Sequence, residues 1–143
     1  MAAIDLTQPQ SMGDEDPELT TETEEIEYED LEPNWMTAVR ACQEKQATDL
    51  KVLDLREVTS FTDYFIVCSG SNSKQNTAIG DEVLRMMKKR GELPISAEGF
   101  QSSEWILIDF ADFIVHIFSP KAREYYDLER LWKTAKTVQL PAE

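Results

Sequence analysis

Asp109 and His116 are the two side chains in this sequence most readily paired for acid–base chemistry. They lie on two apolar runs, Trp105–Asp109 and Phe113–Phe118, separated by the turn residues Ala111 and Asp112. If these runs form a hairpin with Phe110 opposite Phe113, then Asp109 faces Ile114, Leu107 faces His116 and Trp105 faces Phe118. Asp109 and His116 become diagonal neighbours within reach of a hydrogen bond. A hydrolytic site would also need a nucleophile beside the imidazole. Cys68 lies in an apolar strand pattern and reads as an inert buried thiol. Ser69 and Ser71 read as turn and cap residues. The His–Asp pair is therefore expected to be structural, and no catalytic residue is assigned.

Ser69-Gly70-Ser71 before a helix suggests a second chemistry, the phosphate-holding turn of a nucleotidyltransferase. That reaction needs carboxylates spaced to hold metal ions. The nearest acids, Asp81 and Glu82, are adjacent within a helical pattern and point in different directions. The following strand supplies only Glu98. With one histidine and two cysteines in separate apolar patterns, neither a metal site nor a disulfide framework is expected, and no cofactor is implied.

The elements that must position these residues follow from periodicity. Asn34 is placed to cap a helix carrying Trp35, Val39 and Cys42 on one face. Leu50–Leu55 alternates as a strand, and Asp63–Cys68 is apolar on both faces, as a covered central strand should be. Ser73–Arg90 forms a helix with Ile79, Val83, Met86 and Met87 as its stripe and Gly91 at its end. Ile95–Ala97 is the next strand, and strand, helix, strand implies a parallel pair. The hairpin follows, and Pro120 opens a last helix with Tyr125, Leu128, Leu131 and Trp132 on one side. The expected fold is a single α/β domain, a mixed sheet of about five strands with about three helices.

The hairpin has two unlike faces. Ile106, Ile108, Phe110, Phe113, Val115 and Ile117 form a wholly apolar one that must be core. Trp105, Leu107, Asp109, Ile114, His116 and Phe118 form one that mixes aromatics with an acid and an imidazole. Its composition suits either a helix-covered layer or the centre of an interface.

Charge divides the chain. Its 143 residues carry 28 acids and 14 bases, a net of −14. Residues 1–32 hold twelve of the acids and none of the bases, so the remainder is nearly neutral at −2. The acidic segment is poor in apolar residues and is expected to be a disordered, solvated tail, with Glu24–Glu32 transiently helical. The expected boundaries are tail 1–32, domain 33–137 and a short C-terminal tail 138–143. No basic stripe suits phosphate gripping, so no direct nucleic-acid recognition is expected. No long apolar run suits a membrane and no targeting segment is evident, so a cytoplasmic protein is expected.

The order of residues resembles a known family. Thr62-Asp63-Tyr64-Phe65, Ser69-Gly70-Ser71, Gln75, Ala78-Ile79 and Glu98-Gly99 carry its first half. Trp105-Ile106-Leu107-Ile108-Asp109, Asp112, Val115-His116-Ile117-Phe118, Arg123, Tyr126, Leu128-Glu129 and Leu131-Trp132 carry its second. From about Asn34 to Thr137 the chain resembles the ribosomal silencing factor (RsfS, or Iojap-like) family. The resemblance implies a nucleotidyltransferase-like topology without the catalytic acids, and no enzymatic activity. It implies binding to the large ribosomal subunit through ribosomal protein L fourteen, blocking small-subunit joining and repressing translation in starvation or stationary phase. Self-association into a homodimer is also implied. Trp105 matches the family's exposed contact tryptophan; Leu107, Asp109, His116 and Phe118 share its face, and Arg123 and Tyr126 extend it. Two departures stand out. Ala111 replaces a Gly at the hairpin turn, where a positive φ would strain it, and Glu104 replaces a Gly beside Trp105.

Overall fold

The computed structural model describes residues 32–141; the expectations for the acidic segment before it and for the last two positions lie outside the described residues. The elements run in the order α1 (Asn34–Glu44), β1 (Thr48–Asp54), β2 (Tyr64–Ser69), α2 (Ser73–Lys89), β3 (Ser96–Glu98), β4 (Trp105–Asp109), β5 (Phe113–Phe118), α3 (Pro120–Tyr126), α4 (Leu128–Leu131) and β6 (Lys136–Thr137). They build one mixed sheet of order β3-β4-β5-β2-β1-β6.

β2 and β5 pair in parallel at its centre. Both are buried along nearly their whole length, which is why both read as continuous apolar runs. On one face Ile66, Cys68, Ile106, Ile108, Phe113, Val115 and Ile117 pack with α1 and α2. On the other, Leu53, Leu55, Phe65, Val67, Ile114 and Phe118 pack under Ala122 of α3 and Leu128 of α4. The hairpin register is the expected one, with Trp105 opposite Phe118 and Leu107 opposite His116. Cys42 and Cys68, remote in sequence, meet across the α1–β2 contact with sulfurs 3.9 Å apart, both free and buried.

Four expectations need correction. β2 and β3 run in the same direction but are not paired, since β5 and β4 lie between them. β5 needs cover on both faces and takes the central place, while β3 has two exposed residues and suits the edge. A sixth strand, β6, pairs with β1 at Leu53 and Asp54; its two exposed residues carry no periodic signal. Asn34 is the first residue of α1 rather than its cap, and its amide donates to Glu92 Oε1 and Asp112 Oδ2, both at 3.0 Å. The last helix is broken at Asp127, whose φ of 48° ends α3 and starts α4. Asp tolerates that left-handed backbone better than most residues. The break turns Leu128 inward and leaves Leu131 74% exposed, so Leu131 is not core.

Gly91 ends α2 as its position suggests, with φ 86° and Glu92 N donating to Met87 O. Ala111 has φ 78° at the first hairpin-loop position, where primed turns require a positive value. Its strained conformer is held from outside: Thr62 Oγ1 donates to Ala111 O at 2.9 Å, and Ala111 N donates to Asp109 Oδ1 at 2.8 Å. Ala111→Gly should therefore stabilise the domain by about 1 kcal/mol, raising Tm by roughly 4 °C. Thermal unfolding checks this, and an unchanged or lower Tm would show that the turn is unstrained.

Candidate protein-interaction site

The outward-facing positions of β4 are Trp105, Leu107 and Asp109, each half-buried. α3 folds back beside Trp105 because Ser119 caps it: Ser119 Oγ accepts from Ala122 N at 3.1 Å and donates to Glu104 Oε1 at 2.7 Å. Pro120 in the first turn suits the helix start. Glu104 thus ties the start of β4 to the start of α3, which brings Tyr126 over the indole with ring centroids 4.6 Å apart. Phe118 lies beneath the same indole at 5.0 Å. Tyr125 and Tyr126, 79% and 45% exposed, stand edge to face. Together with Glu104, Lys121, Ala122 and Glu124 they line a cleft of about 570 Å³. Gly99 permits the close approach of the preceding loop: at φ 89°, a Cβ there would run into the Trp105 carbonyl.

The expected site residues thus fall into two sets. Trp105, Leu107, Asp109 and Tyr126 reach the surface of this edge. Phe118 and His116 lie beneath it, fully buried and 3% exposed respectively, because β5 is flanked by β2 and roofed by α3 and α4. Arg123 is turned inward, where its guanidinium donates to Glu129, to Ser69 Oγ and to Asp49 O. Tyr125, assigned by periodicity to the helix's inner side, is the most exposed aromatic of the edge. The break at Asp127 that releases it has no Gly or Pro to announce it.

Asp109 and His116 do not bond to each other. Asp109 Oδ1 accepts from the Ala111 amide, and His116 Nδ1 accepts from Trp105 Nε1–H at 3.1 Å. Burial pushes the imidazole down to about 3, so it is neutral at ordinary pH. The unfolded chain takes up a proton near pH 6.5 and the folded one does not, so this group's contribution is present above that value and is lost as pH falls toward 3. His116 is the single histidine. The carboxyls of Asp54, Glu82 and Glu129 are held below their ordinary range by hydrogen bonds from Arg56, Arg85 and Arg123. Stability measured by denaturant should fall by about 2 kcal/mol between pH 7 and pH 5. His116→Leu should remove most of that slope; a slope that survives would place its origin elsewhere.

The Ser69-Gly70-Ser71 turn does not offer its donors to a phosphate. Gly70 N donates to Phe118 O, Ser71 N to Gln75 Oε1, and Gln75 N to Asn72 Oδ1. The buried Asn76 side chain fills the space that a Gly70 Cβ would need, and its amide donates to Ser103 O at 2.8 Å. Glu82 is engaged by Arg85 through two hydrogen bonds. Among the described residues no three His, Cys, Asp or Glu side chains gather as a metal-binding group, and no helix is long and apolar enough to cross a membrane.

The edge therefore presents exposed aromatic side chains, Tyr125 and Tyr126, beside the half-buried Trp105. The family described as "Ribosomal silencing factor during starvation" (RsfS) matches residues 28–143. The chain belongs to the ribosomal silencing factor family. Its members are named as silencing factors, not as enzymes. Ribosomal silencing factor RsfS of Bacillus subtilis is 37% identical over 103 residues, covering 72% of this chain and 87% of that one. Protein Iojap, chloroplastic, of Zea mays is 32% identical over 106 residues, covering 74% of this chain and 46% of that one. A crystal structure from Chromobacterium violaceum superposes with a TM-score of 0.69 at 32% identity, covering 76% of this chain and 88% of that one.

Proposed function

We propose that this chain represses translation in the cytoplasm by occupying a surface of the large ribosomal subunit that the small subunit needs, with ribosomal protein L fourteen as its contact. The observation that carries this reading is the aromatic edge: Trp105, held from below by Phe118 and His116 and flanked by exposed Tyr125 and Tyr126. Rigid aromatic side chains of this kind supply interface affinity at low entropic cost. The carboxylates of Glu104, Asp109 and Glu124 border the edge and suit a basic protein surface. Membership in a family named for ribosomal silencing supports the target.

The test is co-sedimentation of the full chain with each isolated ribosomal subunit, followed by a subunit-joining assay. Binding to large subunits alone, with fewer joined ribosomes, is the expected result. Equal binding to both subunits, or undiminished joining at saturation, would overturn the proposal. Sedimentation of the free chain over a range of concentrations reports whether the same edge is used for a homodimer instead.

A further inference from the structure

His116 lies on the proposed contact face yet cannot touch a partner, because only 3% of it is exposed. Its position nevertheless links it to the contact. The indole Nε1–H of Trp105 is a donor without acceptor capacity, and it meets His116 Nδ1 at 3.1 Å. The imidazole is fixed in turn: Phe65 meets it edge to face at 4.5 Å, and Phe118 stacks nearly parallel to it at 6.2 Å. Since Nδ1 accepts, the neutral ring carries its proton on Nε2. That nitrogen is buried and has no hydrogen-bond partner.

A buried donor without an acceptor costs stability, and an apolar side chain of similar size would avoid the cost. Packing alone therefore favours Leu or Phe at position 116, which stands between Val115 and Ile117 and under Phe65 and Phe118. What the imidazole supplies and an apolar side chain does not is the acceptor for Trp105. We infer that His116 is a positioning residue, fixing the Trp105 indole in the orientation in which it docks, so that little rotamer freedom is lost on binding. This rests on the reading that Trp105 contacts the ribosome.

The experiment compares His116→Leu, His116→Gln and Trp105→Phe, singly and combined, in the full chain. Binding is read by co-sedimentation with large ribosomal subunits. The free protein is read by the indole Nε1–H resonances of Trp35, Trp105 and Trp132 and by thermal unfolding. His116→Leu is expected to keep or raise Tm, to shift and speed exchange of the Trp105 indole proton while leaving Trp35 unmoved, and to weaken binding five- to tenfold. His116→Gln, whose amide oxygen can accept, should recover most of the binding. In a Trp105→Phe background, which lacks the indole donor, His116→Leu should add no further loss. Normal binding by folded His116→Leu, or an equal loss in the Trp105→Phe background, would overturn the inference. Failure of the docking reading itself has a different sign: Trp105→Ala would then bind as well as the unaltered chain.

Discussion

Trp105→Ala is expected to weaken binding to large ribosomal subunits by about 30-fold or more, as the loss of about 2 kcal/mol at an interface hot spot requires. The effect is large because the indole holds the edge together. It packs at a tilt against Tyr126 at 4.6 Å, covers Phe118 at 5.0 Å and bonds to His116. Removing it takes away the anchor and frees Tyr126, so the neighbouring contact loses its order as well. The fold should survive, because the α1–α2 face of the core contains none of these residues. Circular dichroism and thermal unfolding establish that point, and a drop in Tm of a few degrees is expected from the lost packing. A folded variant that co-sediments like the unaltered chain would move the contact elsewhere.

The hairpin that carries Trp105 was legible because its information is local. Alternation fixed both faces, the two-residue loop fixed the register, and each strand needs only its neighbour in sequence. The same parity argument grouped Trp105, Leu107, Asp109, His116 and Phe118, and the structure does place them on one face. What parity cannot give is depth. Phe118 and His116 are buried because β5 lies beside β2 in the sheet, an arrangement that depends on partners nearly fifty positions away in sequence. The strand order escapes the sequence for the same reason: adjacency in sequence suggests adjacency in the sheet, whereas cover for β5 decides the order. The break at Asp127 is silent in the sequence because a positive φ at Asp leaves no mark in hydrophobic period. Ala111 is the opposite case. The departure from the family's Gly raises the question of a positive φ at this turn, and the backbone adopts one.

Arg123 shows how burial reassigns a charged residue, and Arg123→Ala is the second large effect expected. The side chain is only 11% exposed. Its Nε and Nη2 grip the Glu129 carboxylate at 2.8 to 3.2 Å, Nη1 donates to Ser69 Oγ at 2.9 Å, and Nη2 donates to Asp49 O at 2.8 Å. One guanidinium thus joins α3 to α4 across the break at Asp127, to the end of β2 and to the irregular start of β1. Ala leaves Glu129 with Lys51, 3.8 Å away on the surface, as its remaining cation. Breaking a fully buried pair costs about 3–5 kcal/mol; with Glu129 partly exposed, about 2–3 kcal/mol is expected, or roughly 10 °C in Tm. Arg123→Lys should recover little, since a single ammonium cannot replace a fork that serves three directions. Glu129 supplies a further check. Its carboxyl is held below the usual range chiefly by the hydrogen bond from Arg123, so it stabilises the fold above pH 4.5 and loses that contribution as pH falls through its folded value. In Arg123→Ala that acid-sensitive share should shrink. Ribosome binding measured well below the new Tm should then fall less than for Trp105→Ala. A variant with unchanged Tm but lost binding would instead make Arg123 a direct contact.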